Sequence, residues 1–201
     1  MTPLRALLAV FAGVCVAQAA LAADRPMTLL KKSQLRMNDL LRHGHAESST
    51  DGKRVRGEIR DMVNGFLDYR ELSKRSLGAH WDARTKREQD EFVAVLRDLI
   101  ERNYVTQLRS SLDYDVQYQK EDVNGEEATV TTLLRVAKNK RTAETQIVYK
   151  MRLVGGVWLV FDIVTEDVSL IQNYRTQFNR IITRESYPAL LKKMRRKLGE
   201  S

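Results

Sequence analysis

Apolar positions repeat with a helical period through the first half of the chain and then switch to alternation. Residues 26–42 place Leu29, Leu30, Met37, Leu40 and Leu41 on one broad face, which predicts a helix. A polar loop follows over residues 43–52, with Gly44, Ser48, Ser49 and Gly52, and a second helix is predicted over about residues 53–63. Phe66-Leu67-Asp68-Tyr69 opens a third, short segment that continues through Leu72, Leu77-Gly78 and Trp81. The clearest helix comes next. Thr85-x-x-Glu88 is a capping-box pattern, in which each residue satisfies a backbone N–H of the other. Behind it Phe92, Leu96, Leu99 and Asn103 share a stripe flanked by Val93, Ile100 and Tyr104, so the helix should reach about Leu108.

From Asp113 the period becomes two. Tyr114, Val116 and Tyr118 form one strand, and Asn124-Gly125 signals a hairpin. Val130, Thr132, Leu134 and Val136 share a face of the next strand. The basic loop at residues 138–141 leads to a third, in which Ile147, Tyr149, Met151 and Leu153 share a face. Gly155-Gly156 turns into a fourth, where Val157, Leu159, Phe161 and Ile163 alternate with Trp158, Val160, Asp162 and Val164. Both faces of that strand are largely apolar, so we expect it covered on both sides. A shift of one residue in register would swap the face it turns inward. Two helices, at about residues 170–183 and 187–197, close the chain, with Pro188 near the start of the second. The expected fold class is α+β: N-terminal helices (26–108), a curved four-stranded antiparallel sheet (113–165) and C-terminal helices (170–198). Helices laid loosely over one face of such a sheet leave a pocket between the layers.

The N-terminus restricts where this fold operates. Arg5 precedes an apolar run from Ala6 to Ala17, and Ala20-Leu21-Ala22 supplies a small-x-small cleavage signal. This is the pattern of a secretory signal peptide, so we expect residues 1–22 to be removed and residues 23–201 to form one exported domain. The run is marginal for a membrane anchor, reaching spanning length only if Gln18 is included. Cys15 is the single cysteine. It follows Val14 rather than a small residue, so lipidation is not expected, and the mature chain has no disulfide. The net charge of +8 favours anionic partners. Export disfavours nucleic acid among them, and the aromatics are not interleaved with Lys and Arg as a single-strand binding platform requires. The densest basic run, Lys192, Lys193, Arg195, Arg196 and Lys197, ends an amphipathic helix, where it complements the helix dipole on a solvated face.

Candidate chemistry is sparse. His43, His45 and His80 are the only histidines, and with no mature cysteine they complete no metal shell. There is no phosphate-binding glycine loop, nucleophile elbow or zinc-protease motif. Asp162, a carboxylate on an otherwise apolar strand, is the one acid/base candidate. Its other reading, which we favour, is an acceptor for backbone N–H groups or a nearby arginine such as Arg175. Trp81 and Trp158 read as core anchors.

Two blocks of sequence resemble the MlaC family, the toluene-tolerance auxiliary proteins of ABC transporters. The first is Phe66-x-Asp68-Tyr69 with Leu77-Gly78, Trp81 and the capped helix bearing Phe92 and Tyr104. The second runs from Val157 through Ser169 to Asn173, Tyr174, Arg175 and Phe178. Asp167 departs from the pattern, which commonly has glycine before the Val-Ser pair. The resemblance implies a periplasmic carrier without catalytic residues, metal or cofactor, whose fold encloses an apolar cavity holding phospholipid acyl chains. It also implies exchange partners: an inner-membrane ABC transporter with its substrate-binding subunit, and an outer-membrane lipoprotein complex that helps maintain lipid asymmetry. On this reading the lining is Leu134 and Val136; Ile147, Tyr149, Met151 and Leu153; and Leu159, Phe161 and Ile163; with Phe92, Leu96, Leu99 and Phe178 facing them. The competing readings are a catalytic domain of similar cone shape acting on a small apolar substrate, a hopanoid-linked lipid carrier, and a periplasmic adaptor without a ligand.

Overall fold

A computed structural model describes residues 24–43, 50–108, 114–138 and 141–199. The expected signal peptide and His45 lie outside these residues, as do most of the loop after the first helix and the middle of the basic loop between the second and third strands. The described elements are α1 (Pro26–His43), α2 (Thr50–Phe66), α3 (Tyr69–Leu77), a single 3-10 turn (Gly78–His80), α4 (Lys86–Leu108), β1 (Tyr114–Asn124), β2 (Glu127–Lys138), β3 (Arg141–Val154), β4 (Val157–Thr165), β5 (Val168–Ser169), α5 (Leu170–Arg184) and α6 (Tyr187–Lys197).

The strands form one antiparallel meander in the order β1-β2-β3-β4-β5. The fold class is the expected one, with a short fifth strand where four were expected. That strand exists because Glu166 and Asp167 both adopt positive φ (49° and 63°). They form a two-residue turn of the tight hairpin kind, which pairs Thr165 with Val168. Gly155 and Gly156 occupy the same conformation without a Cβ penalty at the β3–β4 turn.

Local signals in the sequence account for the helix starts. Thr85 and Glu88 form the capping box: the Glu88 carboxylate accepts from the Thr85 amide at 2.8 Å, and the Thr85 hydroxyl accepts from the Glu88 amide at 3.3 Å. The Thr85 amide first, and then the Thr85 hydroxyl, which donates to the same carboxylate at 2.9 Å, hold the Glu88 carboxyl below the usual range. Asp68 caps α3 by accepting from the Glu71 amide. Ser169 and Ser186 cap α5 and α6 through Gln172 and Ala189.

The main apolar cluster gathers Leu67, Leu72, Leu77, Trp81, Phe92, Leu96, Ile100, Val130, Met151, Trp158, Val160, Phe178 and Leu190 from helices and sheet alike. Both tryptophans are core anchors, each 6% exposed. A second, small cluster stands apart between α1 and α2: Leu40, Val55 and Ile59, with Met37 and Val63 packed beside them. Among the described residues no helix is long and apolar enough to cross a membrane.

Candidate functional site

Register sorts the sheet's side chains onto two faces, because cross-strand partners point the same way. On the inner face the successive rows are Val116/Leu134, Tyr118/Thr132/Ile147, Val130/Tyr149/Ile163, Ala128/Met151/Val160 and Leu153/Trp158. Toward the β1–β2 and β3–β4 turns this face is sealed. Val130, Met151 and Val160 are 0% exposed and share a cluster with Phe92 and Leu96. Toward the β2–β3 turn it opens. Val116, Leu134, Val136 and Ile147 are only partly buried, and none of them belongs to either apolar cluster.

The path of α1 explains the difference. Its Met27 amide donates to Glu121 at 2.7 Å, and Gln34 accepts from the Tyr118 hydroxyl at 2.6 Å. Seven helical residues and three strand residues each advance about 10 Å, so α1 runs alongside β1. Its last turns, bearing Met37 and Leu40, extend toward the open end of the sheet. There α1 and α2 bury their apolar side chains against each other, in the small cluster, rather than against the strands.

The side chains expected to line a pocket therefore separate. Leu134, Val136 and Ile147 form the open apolar surface. Tyr149, Leu153, Ile163 and Leu99 are partly buried against the main cluster, whereas Phe92, Leu96, Met151 and Phe178 lie within it. Leu159 and Phe161 do not share a face with Ile163. A bulge pairs Lys150 with Asp162 and Met151 with Val160, leaving Phe161 as the extra residue. Before the bulge Leu159 pairs with Arg152 on the outer face. Phe161 is covered by the Arg75 guanidinium, 4.1 Å from its ring centroid. The inward residues at this end of β4 are Trp158 and Val160, which a strict alternation from Ile163 misses.

The clefts of the described surface include two that are not lined by any strand residue. One, of about 320 Å³, lies between α1 and α2, with Leu29, Met62 and Phe66 below Arg36 and Asp61. The other, of about 580 Å³, lies between α4 and α6. The elongated cavity expected over the sheet is neither of these, because Phe92, Leu96 and their neighbours fill the space over Met151 and Val130.

The polar groups of the core are occupied by structure. Asp162, 3% exposed, accepts from the Ser169 hydroxyl at 2.8 Å and the Ile171 amide at 3.1 Å, with Lys150 Nζ at 3.3 Å. It thus ties β4 to the first turn of α5. Arg175 is not its partner; it donates twice to the Arg75 carbonyl, at 2.9 and 2.7 Å. Asp68, 7% exposed, caps α3 and also accepts from Arg152 Nε at 2.7 Å. Arg152 reaches Glu71 as well, and Glu71 accepts from Arg75. This charge chain clamps α3 to the outer face of β3. His80 contacts Asn179 at 2.8 Å, and among the described residues no group of three or more His, Cys, Asp or Glu side chains is placed to hold a metal ion.

Comparison with known proteins gives concordant matches. The family model described as MlaC protein matches residues 31–196. The intermembrane phospholipid transport system binding protein MlaC of Haemophilus influenzae is 18% identical over 187 residues, covering 92% of this chain and 87% of that protein. A phospholipid-binding protein from Ralstonia solanacearum, solved in complex with a phospholipid, superposes with a TM-score of 0.68 at 16% identity, covering 85% of this chain and 94% of that one.

Proposed function

Because the chain belongs to the MlaC family, we propose that it is a periplasmic phospholipid carrier. In this reading residues 23–201, freed of a signal peptide at residues 1–22, act as one domain that holds acyl chains against the open end of the sheet. Lipid then passes between an inner-membrane ABC transporter, through its substrate-binding subunit, and an outer-membrane lipoprotein complex. Phospholipid is cargo, and no covalent step or cofactor is involved. The names of the relatives, phospholipid-binding and phospholipid-transport proteins, support the cargo.

The observation that carries the reading is the apolar surface of Val116, Leu134, Val136 and Ile147, which stands outside both clusters. A sheet face that only filled a core would be packed along its whole length. Here, among the described residues, the packing stops partway, near a helix pair that buries part of its apolar surface separately. The energetics demand such a surface. At about 0.8 kcal/mol per methylene, a 16-carbon chain in water costs roughly 12 kcal/mol, so an unescorted lipid would not cross an aqueous gap on a useful timescale.

The test is solvent extraction of the protein purified from the exported fraction, followed by mass spectrometry. Stoichiometric phospholipid is expected. Protein that carries no lipid, and takes none up from vesicles, would refute the carrier. Recovery of a hopanoid would transfer the cargo to that lipid class.

A further inference from the structure

The α4–α6 cleft is separate from the open end of the sheet, and its chemistry is different. Tyr187, Pro188 and Leu191 form an apolar floor. The Tyr187 hydroxyl donates to the Glu88 carbonyl at 2.9 Å, and burial pushes the phenol up to about 12, so the floor stays uncharged. On the α4 side the Glu91 carboxylate is taken by Arg195, and on the far side of α6 the Glu185 carboxylate is taken by Lys193. Lys192 and Arg196 are exposed on the α6 rim of the cleft, and among the described residues neither forms an ion pair with a carboxylate. They are four residues apart on one helical face, where like charges repel. Carboxylates supplied from outside would relieve that repulsion.

We propose that this cleft is a docking site for an acidic segment of a partner protein, with an apolar side chain on the floor and carboxylates against Lys192 and Arg196. The shape favours a protein segment over an anionic membrane. A bilayer surface is broad and flat, so it would not reach a concave floor. The volume, about 580 Å³, suits one or a few inserted side chains. Since α6 packs on α4 and α5, docking here leaves the open end of the sheet free.

Three probes test this by NMR and fluorescence anisotropy with the full mature chain. They are a labelled peptide of two leucines flanked by glutamates, its counterpart with glutamine for glutamate, and vesicles containing phosphatidylglycerol. The acidic peptide should shift the amides of α6 and the first turns of α4. It should bind about tenfold or more tighter than the glutamine peptide, weaken with added salt, and be lost in the Lys192→Glu, Arg196→Glu double variant. That variant changes exposed positions, so its lipid content should match the parent and its melting temperature should fall only slightly, as reversing charges near a helix C-terminus requires. Lost peptide binding with retained lipid therefore separates docking from cargo. Equal binding of the two peptides, absence of binding, shifts mapping elsewhere, or vesicle binding that the double variant abolishes would each overturn the proposal.

Discussion

Placing a glutamate at Met151 and at Ile147 separates filled core from lipid-facing surface. The two positions lie four residues apart on one face of β3, yet Met151 is 0% exposed inside the main cluster, while Ile147 is partly buried and outside it. At Met151 the substitution removes a fully buried side chain, about 1.5–3 kcal/mol. It also desolvates a carboxylate with no partner, at several kcal/mol more. The sum, at least about 5 kcal/mol, rivals the whole stability of a typical domain, about 5–15 kcal/mol. At Ile147 the carboxylate stays hydrated, and only partial burial and strand preference are lost, about 1–2 kcal/mol together. Urea denaturation should therefore find Met151→Glu unfolded or severely destabilised. Ile147→Glu should fold close to normally, while mass spectrometry of its solvent extract finds bound phospholipid largely gone. A stable Met151→Glu protein, or an Ile147→Glu protein that still carries its full complement of lipid, would show that the boundary between core and cargo surface is drawn in the wrong place.

Asp167→Gly should stabilise the fold by about 0.5–1 kcal/mol, since a left-handed residue in the β4–β5 turn then loses its Cβ penalty; an unchanged or lowered melting temperature would argue against the turn geometry. Asp68→Ala removes a helix cap and the partner of a partly buried arginine, and should cost about 2–3 kcal/mol in urea unfolding. Arg152→Met, which keeps the cap, should cost less. Burial pushes the Tyr187 phenol up to about 12, above its ordinary value of 10.0, so the folded state holds this proton to higher pH than the unfolded chain. Its contribution to stability is complete below about pH 10 and is lost as pH rises through about 12. Ultraviolet titration should show a late tyrosine step that is absent in Tyr187→Phe.

Much of this architecture was legible in the chain because local chemistry agreed with the final structure. The Thr85–Glu88 box starts α4, Asn124-Gly125 and Gly155-Gly156 turn the sheet, and Asp162 serves as the acceptor that its apolar strand suggested. What escaped the sequence depended on contacts between distant residues. The bulge at Phe161 is set by the pairing of Asp162 with Lys150 and of Val160 with Met151 across the sheet, and no periodicity on β4 alone reveals it; hence strict alternation through Leu159, Phe161 and Ile163 misplaced two of three side chains. Val130 and Leu134 look alike along β2, yet one is sealed and the other open, because α1 and α2 turn part of their apolar surface toward each other. The fifth strand was hidden for a related reason: Glu166 and Asp167 lack the glycine that normally announces such a turn.

The division of apolar packing between two clusters also gives the molecule two tiers of cooperativity. A helix pair that carries its own small cluster at one end can loosen there, while Leu30, with Met27, Leu29, Val63 and Phe66 beside it, keeps the pair anchored in the main cluster. Beside that apolar anchor, ties to β1 include the Met27–Glu121 and Gln34–Tyr118 hydrogen bonds, the Arg25–Glu121 ion pair and Lys31 over the Tyr118 ring. Amide protons near Leu40, Val55 and Ile59 should then exchange through sub-global openings, at free energies well below those for Phe92 or Val130, whose protection reports global unfolding. That end of the helix pair can then shift over the sheet while the main scaffold stays intact.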